Sequence, residues 1–163
     1  MKPLAPASAP TNLAANGGNA SATLTWTAPS ATGGAPLTDY LVQYSTDGGT
    51  TWTTFTHPAS TATTITVTGL PNGVSHLFRV AAVNVAGAGG FSDPSAPVVP
   101  GRVAAAPAPP TATRGAGQVT LAWKPPASDG GLPITDYVVR QSADGGVTWT
   151  TVADQVSTAT TAV

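Results

Sequence analysis

Trp26 and Trp123 lie 97 positions apart, and so do Tyr40 and Tyr137, Trp52 and Trp149, and Pro36 and Pro133. The pairs Gly33-Gly34 and Gly130-Gly131 keep the same spacing. An ungapped match across half a unit is hard to reach by chance. A fixed internal period means that one folding unit is used twice. Each unit must then bury its core within roughly 100 residues, the size of one small domain.

The alternation along each unit is of period two, as in strands with one buried face. Ala20, Ala22, Leu24 and Trp26 are expected on one face, with Ser21, Thr23, Thr25 and Thr27 on the other. Tyr40, Val42 and Tyr44 form the next inward set, then Ile65, Val67 and Leu70, then Phe78, Val80 and Ala82. Turn residues separate these runs: Pro29 to Pro36 around Gly33-Gly34, Asp47-Gly48-Gly49, and Pro71-Asn72-Gly73. No helical period competes. Short alternating strands with regular turns predict an all-β antiparallel sandwich.

Composition narrows the function classes. Charged residues are 8% and hydrophobic residues 41% of the 163. The net charge of −1 leaves no basic footprint for nucleic acid or an anionic membrane. Cysteine is absent, which removes disulfides and thiolate metal sites. All acidic residues are Asp, Arg outnumbers Lys and Ala is abundant, a bias that points to a bacterium with GC-rich coding. No run approaches the roughly 18 apolar residues of a membrane span. The opening residues lack a signal-peptide core. An export signal, if the parent is secreted, is expected outside this chain.

The order of motifs resembles the fibronectin type III family. A Pro precedes the first strand, Leu24-Thr25-Trp26 marks the second, and Pro36-Leu37-Thr38-Asp39-Tyr40 enters the third. Gly69-Leu70 closes the fifth, and Phe78-Arg79-Val80-Ala81-Ala82-Val83-Asn84 is the sixth, followed by Gly87 and Phe91-Ser92. The second copy matches at Val119-Thr120-Leu121-Ala122-Trp123 and Leu132-Pro133-Ile134-Thr135-Asp136-Tyr137. The resemblance implies an immunoglobulin-like antiparallel sandwich in which the third strand pairs with the sixth and the second with the fifth. It also implies a Tyr where the sixth strand begins, anchoring a tyrosine corner. His76 stands there instead. An imidazole nitrogen must remake that hydrogen bond, or the bond is lost. No motif places a second ligand beside His76, so a metal reading of it is weak.

The expected organisation is an unstructured segment 1–8, a complete domain 9–100, a short semi-stiff Ala/Pro linker 101–106 and an incomplete second domain 107–163. Val163 aligns with Thr66, so the second copy reaches only the start of its fifth strand. Leu121, Trp123, Tyr137 and Val139 are then expected to face partly into water. Such exposure costs several kcal/mol at about 25 cal/mol per Å². The simple reading is a fragment. The alternative is that another chain donates the missing strands.

Ser45-Thr46-Asp47-Gly48-Gly49-Thr50-Thr51-Trp52 and Ser142-Ala143-Asp144-Gly145-Gly146-Val147-Thr148-Trp149 share one pattern, which resembles the Asp-box hairpin of sialidase propellers. The expected role is local: Asp accepts turn N–H groups, Gly supplies positive φ, and Trp covers the hairpin. A Ca²⁺ site at Asp47 would need 6–8 oxygens, and one carboxylate is a poor start. A propeller would repeat at about 40–50 residues. Trp26 and Trp123 are expected in the core. Trp52 and Trp149 are candidates for stacking on a sugar ring. His57 is expected in a solvated loop. Arg114-Gly115-Ala116 is not an Arg-Gly-Asp attachment tripeptide, and Asn19-Ala20-Ser21 is a formal glycosylation sequon.

Catalysis finds no support. With no Glu, no Cys and two separated His, no motif pairs a nucleophile with a base. The expected function is a non-catalytic structural or spacer module without cofactor or metal, and the family resemblance implies a secreted or cell-surface bacterial multidomain protein as its parent. Its partners are neighbouring domains of the parent chain, with a polysaccharide or surface protein possible. The alternative is a carbohydrate- or protein-binding accessory module of a polysaccharide-degrading enzyme or adhesin. The expected location is extracellular or the cell wall.

Overall fold

A computed structural model describes residues 3–163. The chain divides into two compact units, Met1–Gly101 and Arg102–Val163.

Unit 1 contains seven described strands: β1 (Thr11–Gly18), β2 (Ser21–Thr27), β3 (Leu37–Ser45), β4 (Thr53–Phe55), β5 (Thr64–Thr68), β6 (Leu77–Asn84) and β7 (Gly87–Phe91). They form two antiparallel sheets, ordered β1-β2-β5 and β4-β3-β6-β7. Leu24 faces Ile65 across β2 and β5, and Val42 faces Val80 across β3 and β6. The inward phase of every long strand meets in one core of Leu24, Trp26, Tyr40, Val42, Val67, Phe78 and Val80. Burying each large apolar side chain contributes roughly 1.5–3 kcal/mol. Trp26 meets Tyr40 edge to face at 5.0 Å between ring centroids, a favoured aromatic geometry.

One strand start differs from expectation. Ala20 is exposed and sits in the turn at φ 50° rather than on the inward face of β2. The Asn19-Ala20 pair turns the chain between β1 and β2. Ala20 N–H donates to the Asn72 side chain at 2.7 Å, which fixes the turn against the β5–β6 loop.

The segment expected to be unstructured is bonded to unit 1 through its described residues, 3–8. Ala5 N–H donates to Gly33 O and Ser8 N–H to Ala31 O, both at 2.9 Å. Ala7 is buried at 4% exposure. A Cβ on Gly33, which has φ 76°, would collide with the Ala5 carbonyl oxygen, so only Gly lets this strap lie down. Met1 and Lys2 lie outside the described residues.

The same strap exists 97 positions later, where a linker was expected. Arg102 N–H donates to Gly130 O at 3.0 Å and Ala105 N–H to Ser128 O at 2.9 Å. Gly101 N–H donates to Gly18 O within unit 1. Consecutive amides are therefore bonded into different units. The Pro- and Ala-rich composition marks a strap, not a tether.

Unit 2 contains β8 (Thr111–Arg114), β9 (Val119–Ala122), β10 (Arg140–Gln141), β11 (Thr150–Thr151) and β12 (Thr161–Ala162). Its sheets are β12-β9-β8 and β10-β11. The register repeats too: Ala162 faces Leu121 as Ile65 faces Leu24. Trp123 meets Tyr137 at 5.4 Å, the counterpart of the Trp26–Tyr40 contact. Leu121, Trp123, Tyr137 and Val139 are only half-buried. Among the described residues of unit 2, no strand occupies the place beside β10 that β6 holds beside β3.

Candidate functional site

The β3–β4 hairpin carries the residues singled out in the sequence. The Asp47 carboxylate accepts the Ser45 hydroxyl at 2.7 Å, the Thr51 N–H at 2.9 and 3.0 Å, and the Thr51 hydroxyl at 2.6 Å. Ser45 Oγ in turn accepts from Gly49 N–H at 2.9 Å. Gly48 and Gly49 take φ 73° and 92°, which turns their amides into the loop. The Thr51 hydroxyl, then its backbone N–H, then the Ser45 hydroxyl hold the Asp47 carboxyl well below the usual carboxylate range. Hydrogen bonds to the charged form are the cause. Trp52 Nε1 donates to Gly49 O at 3.0 Å and lays its ring along the turn.

Unit 2 reproduces this arrangement. Asp144 accepts from Ser142 and from both donors of Thr148, and Trp149 Nε1 donates to Gly146 O at 3.1 Å. The Thr148 hydroxyl, its N–H and Ser142 lower the Asp144 carboxyl likewise. In both hairpins the loop's own donors surround the carboxylate. Among the described residues, no group of three or more His, Cys, Asp or Glu could hold a metal ion.

The two stacking candidates have different surroundings. The Arg79 guanidinium carbon lies 4.2 Å from the Trp52 ring centroid and 4.1 Å from that of Phe91. One face of Trp52 is thus occupied by a cation. Trp149 is 57% exposed. Arg140, at the Gln43 position of the repeat, lies on β10 opposite Thr151 and is exposed.

Two residues whose roles the sequence does not state, Arg79 and Asn84, organise unit 1, and His57 departs from its expected place. Arg79 Nε and Nη2 both donate to Gln43 Oε1, at 2.9 and 2.7 Å. Strand phase alone would have placed Arg79 on the outer face, between inward Phe78 and Val80. Its neighbours follow from register, which the sequence does not state. Asn84 donates to Ala5 O at 2.8 Å and Thr32 O at 2.7 Å, and accepts from Ala86 N–H at 2.8 Å. His57 is half-buried rather than solvated, with Nδ1 2.9 Å from Pro58 O and Nε2 2.9 Å from Tyr40 O. It borders a cavity of about 340 Å³ at the flank between β4 and β5, walled by Trp26, Tyr40, Phe55 and Ile65.

His76 is 1% exposed. Its Nδ1 lies 2.8 Å from Val74 O, and a carbonyl only accepts, so Nδ1 carries the proton. The corner bond is remade by imidazole. His76 also pairs with Val98 through both backbone groups.

Two facing antiparallel sheets with β3 beside β6 and β2 beside β5 define an immunoglobulin-like sandwich module. A family model described as Fibronectin type III domain matches residues 8–98. The chain belongs to that family, whose domains are generally non-catalytic modules set within larger chains. It is 33% identical to Myomesin-2 of Homo sapiens over 145 residues, 85% of this chain and 10% of that protein. It is 29% identical to Titin of Drosophila melanogaster over 133 residues, 79% of this chain and 1% of that protein. The chain thus spans a small part of these relatives. Among solved structures, titin domains A168-A170 superpose with a TM-score of 0.54 at 29% identity, covering 58% of this chain and 32% of that one. The chicken CNTN1 FN1-FN3 domains give 0.55 at 22% identity, covering 91% and 52%, a likeness of fold alone.

Proposed function

We propose that this chain is a non-catalytic spacer within a longer multidomain protein. One observation carries this reading: Gly101 N–H is bonded into unit 1 while Arg102 N–H is bonded into unit 2. Each unit thus holds its own end of the connection through a backbone bond. Such a connection suits a module whose work is to join its neighbours. The Asp-only, Ala-rich composition supports a bacterial parent, and the family resemblance supports its display outside the cell or in its wall. The relatives named above are animal proteins.

A second reading, an accessory module that binds polysaccharide, is favoured by the exposed ring of Trp149. Tryptophan fluorescence of the intact chain against a panel of soluble polysaccharides separates the two. The spacer reading expects no saturable change. A saturable change that Trp149→Ala abolishes would assign the chain to glycan capture.

A further inference from the structure

The outer face of the β4-β3-β6-β7 sheet carries a single, carefully held cation. Arg79 is the one Arg or Lys between positions 3 and 101. Its guanidinium is stacked between the rings of Trp52 and Phe91, at 4.2 and 4.1 Å. Phe91 is placed there by its pairing with Ala81 across β6 and β7. The Nε and Nη2 edge is anchored on Gln43 Oε1, and Gln43 is itself fixed by its amide donating to Thr54 Oγ1 at 3.1 Å. Stacking sets the plane of the guanidinium, and the two bonds set its rotation within that plane.

A guanidinium has five N–H donors. One from Nε and one from Nη2 go to Gln43. The second on Nη2 and both on Nη1 remain, and the end-on edge made by these two nitrogens presents a parallel pair. Such a pair matches the two oxygens of a carboxylate. The anchoring partner is a neutral amide, so the positive charge is not cancelled by it. Of the three carboxylates of the same unit, Asp47 is engaged by Ser45 and Thr51 and Asp39 by Ser60 N–H at 3.0 Å, while Asp93 is exposed on the segment after β7.

We propose that the end-on edge of Arg79, framed by Trp52 and Phe91, docks a carboxylate side chain from an acidic segment of a partner protein. The one Arg or Lys of this unit's described residues, held by a neutral amide, selects for negative charge. The fixed plane reduces the entropy lost on binding. Arg beside Trp is the composition in which interface hot spots concentrate. A sugar ring is disfavoured at this point, because Arg79 already covers a face of Trp52. This assignment goes beyond the spacer reading and fails separately from it, since a spacer needs no such contact.

The test uses the intact chain labelled with ¹⁵N, following the Arg79 Nε–H and Trp52 Nε1–H signals. The probes are acetylated tetraglutamate amide and its tetraglutamine counterpart. Saturable shifts at both signals are expected with tetraglutamate, with binding at least about tenfold weaker for tetraglutamine. Arg79→Lys keeps the charge but lacks the fork, and is expected to lose the shift at Trp52. The wild-type comparison stands even where that variant fails to fold. An equal response to both peptides, no saturable response, or tighter binding of oligogalacturonate than of tetraglutamate would overturn the proposal. So would self-association that Arg79→Gln abolishes, since a second copy would then be the occupant.

Discussion

His76 Nδ1 donates to the carbonyl oxygen of Val74 across 2.8 Å, two residues back along the chain. The family's corner is thus closed by an imidazole, stacked on Phe78 at 6.2 Å between centroids. The substitution has a cost. Nε2 is buried and has no hydrogen-bond partner, and such a group carries an uncompensated desolvation penalty. His76→Phe keeps the ring and removes the bare nitrogen, but leaves Val74 O without its donor. It is expected to change stability by about 1 kcal/mol or less. His76→Ala also opens a cavity and is expected to destabilise by about 2–4 kcal/mol. Urea denaturation of the two variants checks the order.

Asp47 and Asp144 make the hairpins sensitive to acid. Their folded carboxyls titrate below the ordinary value of about 3.9. A depressed carboxylate contributes stability that is fully present above its unfolded pKa and is lost as pH falls through the folded one. Stability is therefore expected to be insensitive to these groups at neutral pH and to fall below about pH 4. Asp47→Asn should flatten part of that acid limb and weaken the turn at pH 7. Thermal melts across pH measure both. An unchanged acid limb in the double variant of Asp47 and Asp144 would refute this assignment.

Asn84 ties three pieces of unit 1 together: the strap through Ala5 O, the β2–β3 loop through Thr32 O, and the β6–β7 turn through Ala86 N–H. Asn84→Ala leaves all three without that partner. A loss of about 1–3 kcal/mol is expected, with faster amide exchange at Ala5 and Ser8. Exchange rates at those two amides distinguish release of the strap from general destabilisation.

The two hairpin tryptophans differ in cover. Trp149 is expected to be quenched by acrylamide more readily than Trp52, as single-Trp variants can show. Arg79→Ala should bring Trp52 towards the behaviour of Trp149. Equal quenching in the parent background would mean that the cation does not shield the ring.

The sequence stated this fold through its alternation. Leu24, Tyr40, Val42, Phe78 and Val80 fell on the buried face as their phase required, and the 97-residue period carried the register into unit 2. Ala20 broke the phase because it belongs to a turn, where φ overrides alternation. The straps were misread because Pro and Ala look the same in a tether as in a segment whose amides find carbonyls in the next loop. The hairpin chemistry of Asp47 was legible because its donors lie within four residues. Arg79, Gln43 and Phe91 were not, because they converge from β6, β3 and β7, and a single sequence does not state which strands are neighbours. His57 was misplaced for the same reason, since the Tyr40 carbonyl it meets lies 17 positions away.

Residue-resolved hydrogen exchange of the intact chain tests the central claim most directly. The buried core is confined to unit 1, and the inner face of unit 2 is half-open. Amides of β2, β3 and β6 should exchange through global opening of unit 1, and those of β9 much faster. The step should fall between two consecutive residues, with Gly101 slow alongside unit 1 and Arg102 in step with Val119–Ala122. A stretch of amides after Gly101 exchanging at the free-chain rate, faster than β9, would restore a tether. Equal protection in both units would contradict the account of one closed sandwich and one open one.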